Sequence, residues 1–246
     1  MGFWQWAQFV GTLLTVVWSA KQTAGYFSMS FDEVIADLKG APLPLNEAGV
    51  AYWKSMLTPY YGEKKAQIRA HLAITLFLSV ALCVQFLKVV RQKAITAHRV
   101  LGRITILVAL AATPGFAMLI AGMTEKPIAQ YAEYPAVLGI PYFGIQGVLQ
   151  ARNKQIADHK ASMIMFASCF FFFGVQRLVL MAMGPLHSGP WARYTPLGPW
   201  KEWSEREYDL FFNLSIAVAF QITFGCAMYK AYIVPAQALA AAAKTK

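Results

Sequence analysis

Four histidines, His71, His98, His159 and His187, carry most of the chemistry this chain offers. A neutral imidazole is the commonest metal ligand among side chains and a standard axial partner for haem iron. His98 opens the phrase His98-Arg99-Val100-Leu101-Gly102-Arg103, at the mouth of an apolar run that extends to Gly122. Gly102 follows at i+4, on the same helix face, and its missing side chain would let a flat macrocycle approach the backbone. Arg99, Arg103 and Lys160 are cations suited to carboxylate partners such as propionates. Ser162 and Met163 follow His159 at i+3 and i+4 and would line the opposing side. His98 and His159 are therefore expected to ligate the iron of a haem b. The plainer reading makes them interfacial residues that cap helix ends or meet lipid phosphates.

A second haem would need the other two histidines. His71, with Thr75 on its face, is a candidate cofactor-binding residue, whereas His187 lies in a Gly/Pro-rich loop whose position the sequence does not give. Arg177 is the most costly single residue, because a cation deep in a spanning helix must face a polar interior or snorkel. It follows His159 by 18 residues, which is five turns, about 27 Å along the same helix face. That separation sends it to the opposite membrane surface, near His71. There it could snorkel, bind an anionic group or pair with an acid such as Asp209.

Those side chains need elements to position them, and the composition says which. With 57% hydrophobic and 14% charged residues, the chain departs from soluble domains, which carry about 25% charged residues. It reads as an all-α integral membrane bundle. Six runs are long and apolar enough to be candidate spans: roughly 3–20, 69–90, 99–122, 134–151, 161–183 and 209–231. The first carries Gln5 and Gln8; the fourth is interrupted by Pro135, Gly139, Pro141, Gly144 and Gly147, breakers that neighbouring helices must cover. Pro114-Gly115 is expected to kink the third.

Charge supports the count of six. Alternating loops put Lys88, Arg91, Lys93, Arg99, Arg103, Arg152, Lys154, Lys160, Lys230, Lys244 and Lys246 on one side, against the single acid Asp158. By the positive-inside rule this is the inner side, with both termini on it. The whole chain, 1–246, then forms one transmembrane domain with an outer cap over 28–68 and an aromatic outer loop over 184–204. Ser30 with Glu33, and Ser204 with Glu207, have the spacing of capping boxes, and Asn46 can cap a helix over 47–57. Tyr52, Trp53, Tyr60 and Tyr61 fall where an interfacial aromatic belt is expected. The prolines and tryptophans of the outer loop, Pro190, Trp191 and Pro196 among them, predict a stiff cover. The alanine-rich tail from Pro235 to Lys246 is read as a short helix or frayed end.

Other functions fail on inventory. The net charge of +10 accompanies no RNA-binding box or finger spacing, so nucleic acid is not an expected partner. Cys83, Cys169 and Cys226 lie inside apolar runs without CxxC spacing and read as packing residues. Phosphate-binding loops, HExxH and GxSxG are absent, and the six spans hold no interior carboxylate for a proton relay or cation-coupled transport. The run Phe170 to Phe173 is expected to face lipid or a neighbouring subunit.

Three phrases together resemble a known family. Arg69-Ala-His71 opens one helix, His98-Arg-Val-Leu-Gly-Arg103 the next, and Asp158-His159-Lys-x-x-Met163 leads toward Arg177. They are similar to the R-x-H, H-R-x-x-G-R and H-x-x-W-M-x-R phrases of a family of uncharacterised multi-helix membrane proteins, over about Tyr52 to Leu180. Ser162 stands where that pattern has tryptophan and Met165 where an arginine follows. The resemblance implies an architecture and three candidate histidines, not an activity. The layout is also similar to ascorbate-reducible transmembrane b-type cytochromes, in which histidines on neighbouring helices hold two haems; this is an analogy of fold.

The leading expectation is a membrane b-type haem protein exchanging electrons with a quinone or a partner protein, in a bacterial inner membrane or an organellar one such as the mitochondrial inner membrane. Its main rival is a cofactor-free accessory subunit of a larger membrane complex, and a third reading is a lipid-binding membrane protein. Whether the chain is an enzyme does not follow from any of these.

Overall fold

Three helix starts are written in the local sequence and have the expected capping chemistry, at Ser30, Asn46 and Ser204. The computed structural model describes residues 13, 16–17, 20–21, 23–39, 45–123, 127–188, 192–195 and 197–237. Ser30 precedes α1 (Phe31–Lys39): its hydroxyl accepts from the Glu33 amide at 3.3 Å and the Glu33 carboxylate accepts from the Ser30 amide at 2.6 Å. Asn46 caps α2 (Glu47–Tyr61) by accepting from the Gly49 amide at 2.8 Å. α3 (Lys65–Phe86) follows, then the short α4 (Lys88–Lys93) and the long α5 (Ile95–Met123). Proline, which lacks an amide hydrogen and is preset for a first helical turn, begins α6 (Pro127–Arg152). α7 (Ile156–Ser188) is the longest, and α8 (Glu205–Met228) starts at Ser204, whose amide and hydroxyl donate to the Glu207 carboxylate at 2.6 and 2.8 Å. α8 runs on through a π-helical turn, Tyr229–Ile233. Two single 3-10 turns, Ala192–Tyr194 and Trp200–Glu202, shape the segment between α7 and α8.

Every regular element among the described residues is helical. Four helices are long and apolar enough to cross a membrane: Lys65–Phe86, Ile95–Ala121, Ile156–His187 and Glu205–Gln237. The candidate span 3–20 falls mostly outside the described residues, as do Pro190, Trp191, Pro196 and the tail beyond Gln237. α6 is long and unbroken in spite of Pro135 and Pro141, although it is not one of these four helices.

Successive long helices run antiparallel. Down α6, Gly139, Gly144 and Gly147 face Cys169, Phe166 and Met163 of α7 in descending order. A Cβ on Gly139 would stand 2.8 Å from the Cys169 sulfur, and one on Gly147 would stand 2.8 Å from the Met163 sulfur. These glycines are a close-approach face of the kind that brings membrane helices together. In the same way, Gln85 of α3 meets Gly102 of α5 while His71 meets Phe116, with ring centroids 5.2 Å apart. Leu78, Leu82, Ala109, Ile140, Phe166 and Phe172 are buried at the centre of this packing.

Polar side chains join α7 to α8. Gln176 donates to the Ser215 hydroxyl at 3.1 Å, and that hydroxyl donates to the Phe212 carbonyl at 2.6 Å. Within α8, Asn213 donates to the Asp209 carboxylate at 3.0 Å. At the same end an aromatic cluster of Tyr52, Trp203, Tyr208 and Phe211 seats α2 on α8. The Asn46 amide also donates to the Trp203 carbonyl at 2.7 Å, so one side chain caps α2 and ties down the loop.

Several boundaries and exposures differ from those expected. The apolar run of the second span continues past residue 86, but Leu87 adopts extended backbone (ψ 125) and ends α3. Arg91 folds back there and donates to the Phe86 carbonyl at 3.3 Å, satisfying one of the orphan carbonyls at the helix end. α6 starts at Pro127 and so carries Glu133, which is buried, into the bundle; the expected boundary at 134 left no interior carboxylate. Phe170 and Phe172 are core residues, and of this run Phe173 is the ring that is exposed. Tyr52 and Tyr60 are buried under the cap, where a belt would leave them at the surface. Cys169 is buried, Cys83 partly so, and Cys226 is exposed on α8.

Candidate functional site

The basic end of the bundle brings together two of the predicted residues. His98 lies in the first turn of α5 and His159 in the first turn of α7. These helices run in the same direction, and His159, Arg91 and Arg99 lie near enough to the His98 ring to act on it electrostatically. Both histidines are half-buried, while Arg99 and Arg103 are exposed.

The rings are held differently. His159 Nδ1 lies 2.7 Å from the Gly147 carbonyl, so Nδ1 carries the proton and donates. A hydrogen bond from one ring nitrogen to a backbone carbonyl fixes the tautomer and leaves Nε2 as the ligating atom, the usual arrangement behind a metal-bound histidine. His98 Nδ1 is buried and has no hydrogen-bond partner. A buried polar atom in that state calls for an explanation, because its desolvation is uncompensated.

The surroundings of Gly102 depart from the expectation. Its open face is covered by the Gln85 amide, 3.6 Å from where a Cβ would stand, and Gln85 Nε2 donates to the His98 carbonyl at 2.9 Å. Ser162 donates to Gln150 Oε1 at 2.7 Å, and Met163 packs over Gly147. As a fit for haem, the donor set of two imidazoles with flanking cations agrees with axial ligation, while the Gly102 face is a seat for Gln85.

The remaining candidates lie at the opposite end. His71 is largely enclosed, edge-on to Phe116, and its Nδ1 has no hydrogen-bond partner. Arg69, two residues earlier, stacks over Phe27 at 5.1 Å. Arg177 lies 5.8 Å from the Phe212 ring centroid, at the level of the Tyr52–Asp209 hydrogen bond. Burial foremost, and then the Asp209 carboxylate, raise the Tyr52 phenol well above its usual range.

His187 is a structural residue. It is buried, and its Nδ1–H is shared between the Thr195 hydroxyl at 2.9 Å and the Gly198 carbonyl at 3.1 Å. The Thr195 hydroxyl donates its own proton to the Ala192 carbonyl at 2.7 Å, which fixes that direction. The ring packs on Trp203 and Phe211 at 4.8 and 5.5 Å. It staples the aromatic loop to the end of α7.

Residue-by-residue reading passed over Gln85 and Gln176. Each is a lone amide in an apolar spanning run, which is a signal in itself, since a polar side chain in a membrane helix needs a partner. Among the described residues, no group of three or more His, Cys, Asp or Glu side chains gathers as a metal centre. Comparison with known proteins finds no matching family model, no matching curated protein and no matching solved structure.

Proposed function

We propose that the protein is an integral membrane haem protein that binds haem b between His98 and His159 at its basic end and exchanges electrons with a quinone or a partner protein. The observation that carries this reading is the convergence of these two imidazoles from α5 and α7, with the His159 ring oriented through Nδ1 by Gly147. In this role His159 presents Nε2, Gln85 steadies the first turn of α5 through the His98 carbonyl, and Arg99 and Arg103 neutralise carboxylates at the membrane surface. Haem supplies one-electron chemistry when bound, and burial together with hydrogen bonding to its ligands sets the potential. In the same proposal six helices cross the bilayer, 3–20 and Pro127–Arg152 among them. Both termini are on the inner side of a bacterial or organellar inner membrane.

The test is a dithionite-reduced minus oxidised spectrum of the purified protein. A haem α band is expected in the wild type, and its loss in His98→Ala and in His159→Ala. A protein without the band, or one whose band survives both substitutions, overturns the proposal.

One observation favours the accessory-subunit reading as well. The outward face of α6 is aromatic and polar: Gln130, Tyr131, Tyr134, Pro135 and Leu138 line an open hollow of about 430 Å³, with Tyr131 78% exposed. Such a face suits a protein neighbour better than acyl chains. Native mass spectrometry separates the two readings: a stable colourless hetero-complex supports the subunit, whereas a coloured species carrying one haem per chain supports the cytochrome.

A further inference from the structure

Glu133 is the acid that a helix boundary at 134 leaves outside the spans and that the fold takes into the bundle. It is 8% exposed, and on the same helix Ala132, Ala136 and Val137 belong to the central apolar cluster. Among the described residues its carboxyl makes no hydrogen bond and no ion pair. An ionisable group at that depth needs a counter-charge, a donor or a proton.

The α6–α7 seam shows what faces it. Gly139, Gly144 and Gly147 meet Cys169, Phe166 and Met163 in antiparallel register. Glu133 lies six residues before Gly139, and Gln176 lies seven after Cys169. At the helical rise, both therefore stand about 10 Å beyond that contact along the bundle axis. α8 closes the third side, where Gln176 Nε2 donates to the buried Ser215 hydroxyl at 3.1 Å. Phe172, one turn before Gln176, and Ile216, next to Ser215, lie in the same cluster as Ala136 and Val137. Gln176 is 1% exposed, and its Oε1 is a buried acceptor with no hydrogen-bond partner. The amide's orientation is fixed, because the Ser215 hydroxyl gives its proton to the Phe212 carbonyl at 2.6 Å and can only accept from Gln176.

Two acceptors at one level of the seam lack a donor, and a single proton supplies it. An ionised Glu133 leaves both its own charge and Gln176 Oε1 uncompensated, whereas the protonated carboxyl donates to that oxygen. A metal cation is a poorer match, since hard cations take about six oxygen ligands or more. The seam offers the Glu133 carboxyl and one amide oxygen. We infer that Glu133 is a proton-binding site inside the bundle, its acid form hydrogen-bonded to Gln176 Oε1 and through that amide linked to Ser215. This is the interior carboxyl whose absence from the sequence-defined spans argued against a proton relay. On the cap side its titratable neighbour is Tyr60, whose phenol is raised above its usual range by burial first and then by the Glu133 carboxylate. α5 carries no titratable side chain beyond Arg103. On α7 and α8, Arg177 lies against Phe212, and Asp209 is engaged by Asn213 and Tyr52. The site does not rest on haem binding.

Infrared spectroscopy of the full-length protein in mild detergent at neutral pH tests this. The expected result is a protonated-carboxyl C=O band that is lost in Glu133→Gln and moves to higher frequency in Gln176→Leu, which removes the acceptor. Dicyclohexylcarbodiimide gives a second readout, because a protonated carboxyl adds across its C=N bond with no group leaving. Peptide mapping should find this apolar reagent on Glu133 of the wild type, with labelling falling as rising pH ionises the acid. Absence of the band, its survival in Glu133→Gln, or an unlabelled Glu133 overturns the proton site. An unshifted band in Gln176→Leu overturns the pairing with Gln176. Should that variant not fold, wild-type labelling across pH decides the question, and labelling that does not change with pH overturns the inference. Both readouts are independent of whether the protein is coloured.

Discussion

At the scale of single residues, the positions most sensitive to change are those where backbone from one helix meets a rigid side chain of another. Gly49 of α2 faces the Tyr208 ring, and a Cβ there would stand 2.7 Å from Tyr208 Cζ. Tyr208 is itself packed against Trp200 and Trp203, so the ring has nowhere to move. Gly49→Ala should therefore destabilise the cap on α8 by about 1–3 kcal/mol, the usual cost of overpacking. Gly115→Ala is its control: nothing lies within 4 Å of the added carbon, and replacing a helical glycine by alanine should be neutral or stabilising by about 0.5–1 kcal/mol. Thermal unfolding of the two variants in one detergent should order them on opposite sides of the wild type. If Gly49→Ala melts with the wild type, the α2–α8 contact is looser than the 2.7 Å approach to Tyr208 implies.

Elements are held by their ends as well as by their faces. Glu33 closes the capping box of α1, and the hydrogen bonds from the Ser30 backbone and side chain hold its carboxyl below the usual carboxylate range. A depressed folded-state pKa means that this cap contributes above the unfolded value, about 4.3. The contribution is lost as pH falls through the folded value. Amide hydrogen exchange over Phe31–Lys39 should thus accelerate on acidification beyond the intrinsic pH effect in the wild type but not in Glu33→Gln. Equal pH sensitivity in both would remove the cap from the account. Both capping boxes and the Asn46 cap were legible as short-range patterns, since a capping residue and its partner lie within one turn. The end of α3 was not: apolar character continues beyond Phe86, and the turn at Leu87 depends on where Arg91 finds an acceptor.

For the whole molecule, the distribution of charge makes a topological prediction. Asn153, in the tight turn between α6 and α7, and Glu202, between α7 and α8, are both exposed at opposite ends of α7. In a chain with Cys83, Cys169 and Cys226 replaced by alanine, Asn153→Cys should react with a membrane-impermeant maleimide only after the membrane is opened. Glu202→Cys should react in intact cells or sealed right-side-out vesicles. The reverse pattern would place the basic end outside and contradict the positive-inside assignment. Labelling of both before opening would argue that the helices between them do not span.

Much of this architecture was already determined by the sequence. Apolar runs and local caps depend on neighbours in the chain, so the helical class, a membrane-spanning character for four helices and the starts of α1, α2 and α8 can be read without a structure. The parity of helix directions also put His98 and His159 at one end and Arg177 at the other, because each crossing reverses the chain. Only tertiary structure decided which faces meet. It turned the glycines of α6 from breakers into a seam against α7, placed Gln85 over Gly102, took Glu133, Phe170 and Phe172 into the bundle and gave His187 to the aromatic loop. Each depends on the rotation of one helix about its axis relative to another. In a bilayer every face of a spanning helix is apolar, so periodicity in the sequence carries little information about that rotation.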